Sequence, residues 1–458
     1  MSARELAEVV LDTGSFESWD QPVDVNNHSA EYQAQLEAAG QKSGTDESVI
    51  TGRGLMRGRP VAVLVSEFGF LAGSIGSATA TRITAAVRRA TAERLPILAS
   101  TASGGTRMQE GAPAFFEMVR ISRALMDHKA AGLPYLVHLR HPTTGGVFAS
   151  WGSLGHVTVA EPGALIGFLG PKVYQAIHSS PFPSDVQTAE NLAAHGVIDG
   201  VVETADLPIL LDRALGVLVD PATTPALVRR TGEVVDGSGW ESVVRTRQTD
   251  RAGVRELLRY GCSGTVRLTE PDASVLVALT RLDGQPCVLV GQDRATAREL
   301  GPAALRQARR GMRLAEELGL PLVTVIDTPG AELSAAAEEG GLAGEIAQCI
   351  ATMSTLRVPT VSLLLGQGTG GGALALLPAT TVVAAENAWL APLPPEGASA
   401  ILYRDTTHAP DLANAQHITA PALRVAGIVH HVVPESSDDT PESLAVALAA
   451  ECASRLVN

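Results

Sequence analysis

The sequence predicts an α/β protein of two tandem domains built to one plan. Three observations lead there: an internal repeat, a recurring strand–glycine–helix pattern, and an aliphatic composition. The chain has 458 residues, of which 45% are hydrophobic, 18% charged and only 4% aromatic. That length exceeds one ordinary domain and suits two large ones. A core with so few aromatic rings is built from Ala, Val, Leu and Ile, which suit helices packed on parallel strands covered on both faces.

The repeat is read from four anchors. Leu95-Pro96, Gly105, Leu133-Pro134 and Glu161 recur as Leu320-Pro321, Gly330, Val358-Pro359 and Glu386, and 321−96, 330−105, 359−134 and 386−161 are each 225. A weaker echo pairs His195–Val202 with Ala426–Val433, where the offset has grown to 231. Two homologous domains, 1–230 and 231–458, follow from this reading. The stretch Val235–Gly239 has the composition of a linker.

Each half repeats the same local grammar. In the first, Ile97–Ser100 reads as a short buried strand that runs into Gly104-Gly105 and then a helix near 112–128. Tyr135–Leu139 is a second strand, running into Thr143-Thr144-Gly145-Gly146 and a small-residue helix. In the second half, Val323–Ile326 and Val361–Leu365 are the corresponding strands. Strands alternating with helices imply parallel pairing with right-handed crossovers.

The charge balance narrows the partners. A formal net charge of −14 argues against nucleic acid or an acidic membrane surface as the main partner. A polyanionic ligand would then need local donors. Cys262, Cys287, Cys349 and Cys452 show no CxxC spacing, so neither a zinc site nor a disulfide framework is indicated, and a reducing cytoplasm is expected. The first 30 residues carry five acidic side chains from Glu5 to Asp20 and do not read as a signal peptide. Apolar runs such as 358–366 are too short to span a membrane. No GxSxG, HExxH or GxxxxGK[ST] occurs, and no metal is expected.

What remains is the glycines. A strand that ends in glycines and opens a helix leaves backbone N–H groups without intrahelical partners. Glycine also lets a ligand approach the backbone closely. Two such donors form an oxyanion hole, worth about 3–4 kcal/mol per donor to a barrier. Four turns qualify: 104–105, 145–146, 330–331 and 370–372. The plainer reading of any one pair is a tight turn; four at matching positions in a repeat favour donors. Arg306, Arg309, Arg310 and Arg313 fall at helical spacing, as a solvated face or as contacts for ligand phosphates or an acidic partner surface. Asp327 either shapes the turn at Thr328-Pro329-Gly330 or lines a pocket.

At this point the motifs match something specific. Asp46–Gly52, Thr101–Gly111, His141–Ser150, Ala160–Pro171 and Gln187–Glu190 strongly resemble the beta subunit of bacterial acetyl-CoA carboxylase carboxyltransferase. Ile326–Ala331, Gly366–Leu374 and Pro395–Leu402 resemble its alpha subunit. The chain looks like a beta–alpha fusion, with the resemblance spanning about residues 11–205 and 285–435.

The resemblance implies a crotonase fold (a ββα superhelix) in each half and a homodimer or higher oligomer whose sites join a beta-like and an alpha-like domain. It assigns the N–H groups of Gly145 and Gly146 to the thioester oxygen of an acyl-CoA enolate. Those of Gly330 and Ala331 go to the ureido oxygen of biotin, assisted by Gly371 and Gly372, one residue beyond the simple repeat offset. Gly104, Gly105, Arg107, Arg306, Arg310 and Asp327 are its candidate substrate-binding residues. No catalytic His or Glu is expected, because biotin itself supplies the base.

Two departures stand out. The zinc ribbon usual in the beta subunit is not in this sequence. Glu332-Leu333-Ser334 replaces the usual aromatic, proline and glycine after the Asp-Thr-Pro-Gly turn, which leaves substrate choice open there. There is no Met-Lys-Met biotinylation site and no ATP-binding carboxylase region. A biotin carboxyl carrier protein and a biotin carboxylase are therefore expected as separate partners. The leading expectation is a cytoplasmic carboxyltransferase that converts acetyl-CoA, or a related acyl-CoA, to malonyl-CoA for fatty acid biosynthesis or a specialised pathway. The alternatives are a biotin-independent decarboxylase or transcarboxylase of the same fold, and a non-catalytic acyl-CoA-binding homologue.

Overall fold

The computed structural model describes residues 1–23, 28–235 and 237–456. Asp236, inside the linker-like stretch, lies outside the described residues. The chain divides into two compact units, 1–212 and 213–458.

Unit 1 contains β1 (Glu17–Ser18), β2 (Val49–Met56), β3 (Arg59–Ser66), β4 (Ile97–Ser103), β5 (Tyr135–Thr144), β6 (Val157–Ala160), β7 (Ile166–Gly167) and β8 (Gly200–Val201). They form one sheet in the order β1-β2-β3-β4-β5-β6-β8, with β7 also paired to β5. The β1–β2 and β2–β3 pairs are antiparallel, and every pair from β3 onward is parallel. The parallel strands explain the sequence pattern. Val61–Val65, Ile97–Ala99 and Tyr135–Leu139 are buried nearly throughout, as strands covered on both faces must be. The helices Ser77–Ala92 and Gly111–Ala130 cross between β3, β4 and β5. Ile83, Ile97, Ile121, Leu139 and Trp151 are fully buried in one core cluster; each large aliphatic side chain so placed contributes about 1.5–3 kcal/mol.

Unit 2 repeats the plan with β9 (Cys262–Arg267), β10 (Val275–Leu282), β11 (Gln285–Gln292), β12 (Leu322–Thr328), β13 (Thr360–Thr369), β14 (Thr381–Ala385), β15 (Trp389–Ala391) and β16 (His431–Val433). The order is β16-β14-β13-β12-β11-β10-β9, with β15 off β13. Its crossover helices are Pro302–Leu318 and Leu342–Thr355. Residues 216–227 belong to this unit: the Arg281 guanidinium donates to the carbonyls of Gly216, Asp220 and Pro221, and the Asp283 carboxylate accepts from the amides of Ala226 and Leu227.

The repeat extends to an irregularity in the ladder. Between β4 and β5 the register shifts after Thr101, so that Ser103 pairs with Thr143. Between β12 and β13 it shifts after Ile326, so that Thr328 pairs with Gly368. Both shifts sit at the same repeat position, since 328−103 and 368−143 are each 225. They bend the strand ends where the glycine turns begin. Among the described residues no helix is long and apolar enough to cross a membrane.

Candidate functional site

In each unit the two glycine turns leave the ends of neighbouring parallel strands and face each other. In unit 1, β4 runs into Gly104-Gly105 and β5 into Gly145-Gly146. A methyl carbon built on Gly105 would lie 3.5 Å from Gly146 N, and one on Gly145 would lie 3.5 Å from Gly105 Cα. In unit 2, β12 runs into Pro329-Gly330-Ala331 and β13 into Gly370-Gly371-Gly372. A methyl on Gly372 would lie 3.4 Å from Ala331 N and 3.5 Å from the Gly330 carbonyl carbon. This close approach is what the glycines permit. The conformations also match: φ is +107° at Gly105 and +138° at Gly330, and +61° at both Gly145 and Gly370. The helices Gly145–Phe148 and Gly370–Leu374 therefore start at equivalent positions, and Gly371 is the structural counterpart of Gly146.

The hydrogen bonds correct several expectations. Gly145 N–H donates to the Phe168 carbonyl at 3.1 Å, and Gly104 N–H to the Ala72 carbonyl at 2.9 Å. Gly105 N–H donates to Ser103 Oγ at 3.0 Å, and Gly330 N–H to Thr328 Oγ1 at 3.1 Å. These four glycines shape the backbone, and their own N–H groups are engaged within the protein. Gly146 and Gly371 are second residues of their helices, where no intrahelical acceptor exists. In unit 2 the amides without an internal acceptor, Ala331 and Gly371, lie on different turns; in unit 1 Gly146 N–H faces a turn whose two glycine amides are already engaged. Each of these helices is about one turn long, so their N–H groups act individually rather than through a macrodipole.

The signal for the engaged amides was present in the sequence. A hydroxyl residue, Ser103 or Thr328, stands two residues before the repeated glycine, the spacing of a side-chain-to-backbone turn.

Arg107 is the clearest correction. It is 1% exposed, and its guanidinium makes a two-pronged pair with Glu47 at 2.6 and 2.7 Å. It also donates to the Ser74 carbonyl at 2.7 Å. An arginine so enclosed anchors the turn after β4 and does not reach a ligand. Arg306 is half exposed and pairs with Glu345 at 3.2 Å; Arg310, on the same helix, is partly buried.

Unit 2 holds a cavity of about 720 Å³ beside its turns. Thr328, Gly330, Ala331, Leu333, Asp327, Gln292 and Gln367 line it, and Arg306 and Arg310 do not. Asp327 is 2% exposed. Its Oδ1 accepts from Gln367 N–H at 3.0 Å, and Arg294 Nε stands 3.4 Å from its Oδ2. Burial pushes this carboxyl up to about 6, against the pull of Arg294. Arg294 is held in turn by the carbonyls of Thr246, Gln248 and Arg251. Glu332 and Ser334, the departures noted in the sequence, bond to each other at 2.5 Å, and Ser334 caps the helix Ala335–Glu339. Leu333 between them is 96% exposed. Gln292, which the sequence reading did not single out, also lines this cavity.

By fold the chain is a crotonase-like protein with two tandem domains. It superposes on transcarboxylase 12S, solved with methylmalonyl-coenzyme A and methylmalonic acid bound, with a TM-score of 0.79 at 21% identity, covering 99% of this chain and 90% of that one. A single-chain, multi-domain long-chain acyl-CoA carboxylase gives 0.77 at 19% identity over 98% of this chain and 46% of that one. Residues 1–207 match the family described as carboxyl transferase domain, and residues 239–454 the one described as acetyl co-enzyme A carboxylase carboxyltransferase-like. The probable biotin-dependent acyl-coenzyme A carboxylase beta3 subunit of Mycobacterium tuberculosis (strain ATCC 25618 / H37Rv) is 59% identical over 452 residues, 97% of this chain and 91% of that protein. The acetyl-coenzyme A carboxylase carboxyl transferase subunits beta/alpha of Parafrankia sp. (strain EAN1pec) are 37% identical over 481 residues, 95% of this chain and 78% of that protein. The chain belongs to the carboxyltransferase family of the biotin-dependent acyl-CoA carboxylases.

Proposed function

We propose that this chain transfers CO2 from carboxybiotin on a separate carrier protein to the α carbon of acetyl-CoA or a related acyl-CoA, giving malonyl-CoA or its homologue. The observation that carries this reading is the duplication of one donor arrangement. Each unit sets an unengaged N–H at the head of a one-turn helix against a second glycine turn. A carboxyl transfer between a thioester and a urea needs two such places, one for each oxygen that gains negative charge.

In this reading Gly146 N–H, facing Gly105, holds the thioester oxygen as the enolate forms. Ala331 N–H, with Gly371 beside it and Gly372 packed against the turn, holds the ureido oxygen. The roles of Gly145 and Gly330 are conformational. Asp327, buried in the cavity wall with Oδ1 held by Gln367 N–H and Oδ2 beside Arg294, braces the turn that carries Ala331 and does not itself touch the ligand. What supports placing biotin on this side is a cavity of about 720 Å³, a volume that accommodates a bicyclic ring, lined by the Gly330-Ala331 turn and by polar side chains such as Gln367. The biotin brought by the carrier supplies the CO2 and the base that takes the α proton. The chain's own residues then orient two ligands and stabilise two oxyanions, which is where preorganised donors act most strongly. The carrier and the biotin carboxylase are separate partners, the working protein is a homo-oligomer, and the compartment is the cytoplasm.

The test is the reverse half reaction: purified chain, malonyl-CoA and free biotin, with acetyl-CoA release followed. Release that depends on biotin is expected. Release without biotin would replace this reading by the decarboxylase. No release from malonyl-CoA or methylmalonyl-CoA would remove both substrates from it.

A further inference from the structure

The two units hold their facing turns together by different means, and the difference singles out one residue. In unit 1, Thr144 Oγ1 donates to the Ser103 carbonyl at 3.3 Å, tying the end of β5 to the end of β4. Thr369 is the counterpart in unit 2, since 369−144 is 225. It is 2% exposed, its hydroxyl has no hydrogen-bond partner, and its methyl group is turned toward Gly330. The threonine link is therefore not made in unit 2.

Another side chain makes it. Gln292, the last residue of β11, is 2% exposed. Its Nε2 donates to the Gly372 carbonyl at 2.7 Å, and its Oε1 accepts from Asp327 N–H at 3.1 Å. One amide thus spans from the strand that leads into Gly330-Ala331 to the helix that carries Gly371-Gly372. Both of its polar atoms are satisfied, so its orientation is fixed by the two bonds. Glu67, at the equivalent position of unit 1 (292−67 is 225), makes no such bridge: it accepts from the amides of Ala3 and Gly69.

We infer that Gln292 is a positioning residue that sets the separation between the two donor turns of unit 2. It acts through Gly372 and Asp327 and need not touch the reacting atoms. The inference rests on the proposed function of that cavity as the biotin side. A carboxylate in this place still accepts from Asp327 N–H but cannot donate to the Gly372 carbonyl until it is protonated. An apolar chain of similar length does neither at any pH.

The experiment compares full-length wild type, Gln292→Met and Gln292→Glu in biotin-dependent release of acetyl-CoA from malonyl-CoA, at several pH values from about 8 down to about 6. Each rate is divided by the wild-type rate at the same pH, because Asp327, Asp293 and Arg294 surround this place in all three proteins. A loosened turn should lower kcat by about tenfold to a hundredfold in both variants near pH 8, the scale of a small misplacement at a reacting centre. The KM for malonyl-CoA should stay within about twofold, because the thioester oxygen is held in unit 1. The glutamate variant should recover toward wild type as pH falls, and the methionine variant should not. Thermal unfolding of each protein separates this from a loss of fold. Rates within about twofold of wild type in both variants would overturn the inference, as would a glutamate deficit that ignores pH. A wild type without biotin-dependent release would remove the proposed function, and this inference with it.

Discussion

Gly105→Ala tests the proposed oxyanion donor of unit 1, Gly146 N–H. The added methyl would sit 3.5 Å from Gly146 N, where an accepting oxygen must come within about 2.7–3.1 Å of the same nitrogen. The two cannot share that side of the turn without displacing one another. Loss of one oxyanion donor costs about 10²–10³ in kcat, or about 2.7–4 kcal/mol. The substitution also strains the backbone, since φ is +107° there, at about 1–3 kcal/mol of stability. A control separates the two effects. Gly163 also has positive φ, +66°, and a methyl there meets nothing within 4 Å. Gly163→Ala should therefore lose about 1–2 kcal/mol of stability from the left-handed conformation alone and keep its turnover. The assay is biotin-dependent acetyl-CoA release at saturating malonyl-CoA, with denaturant unfolding of both variants. If Gly105→Ala turns over within about threefold of Gly163→Ala at equal folded fraction, Gly146 N–H is not an oxyanion donor and the argument fails.

Arg107→Gln should cost about 3–5 kcal/mol in denaturant unfolding by leaving Glu47 as an unpaired buried charge; a raised KM for malonyl-CoA at unchanged stability would instead return Arg107 to the substrate. Arg306→Ala should cost under about 1 kcal/mol, as the loss of an exposed pair with Glu345, and should leave the KM for malonyl-CoA unchanged in steady-state kinetics. Asp327, raised to about 6 in the folded protein, keeps its proton where the unfolded chain, near 3.9, has lost it. Wild-type stability relative to Asp327→Asn should therefore fall, by up to about 3 kcal/mol, as pH rises from about 4 to about 6, read by urea unfolding across that range.

Much of the architecture was legible because it is periodic. The offset of 225 residues seen in Pro96, Gly105, Pro134 and Glu161 reappears in strand order, in the ladder shifts at Ser103 and Thr328, and in the start of the helices at Gly145 and Gly370. The strands announced themselves through aliphatic runs such as Val361–Leu365, since a strand buried on both faces needs no alternation. The engagement of Gly105 and Gly330 could be read from Ser103 and Thr328, but that of Gly104 and Gly145 was not legible. The acceptors for Gly104 and Gly145 are carbonyls of Ala72 and Phe168, 32 and 23 residues away in the chain (104−72 and 168−145), and no local spacing encodes a backbone carbonyl. Arg107 misled for a related reason. A motif arginine beside glycines reads as a ligand contact until Glu47, 60 residues earlier, is seen to enclose it. Gln292 was invisible because an amide at a strand end has no pattern; only the hydroxyl of Thr369, left without a partner, shows that something else must do the tying.

That contrast bears on how one plan is varied between the two units. The two units share strand order, register shifts and glycine conformations, so the N–H groups of both start from the same geometry. What differs is the material between the turns. Unit 1 closes its pair with a short hydroxyl from within β5, and a methyl on Gly146 would meet both Thr106 Oγ1 at 3.2 Å and Met118 Cγ at 3.3 Å. Unit 2 reaches across from β11 with a longer amide and keeps a buried acid, Asp327, in the cavity wall. A methyl on Gly371, the counterpart of Gly146, would meet Ile346 first, with its Cδ1 at 2.8 Å. The amide link ties the strand that carries Asp327 to the helix of Gly371 and Gly372. The two units therefore differ in the polar residues that lock the turns, while the glycines common to both keep the same conformations.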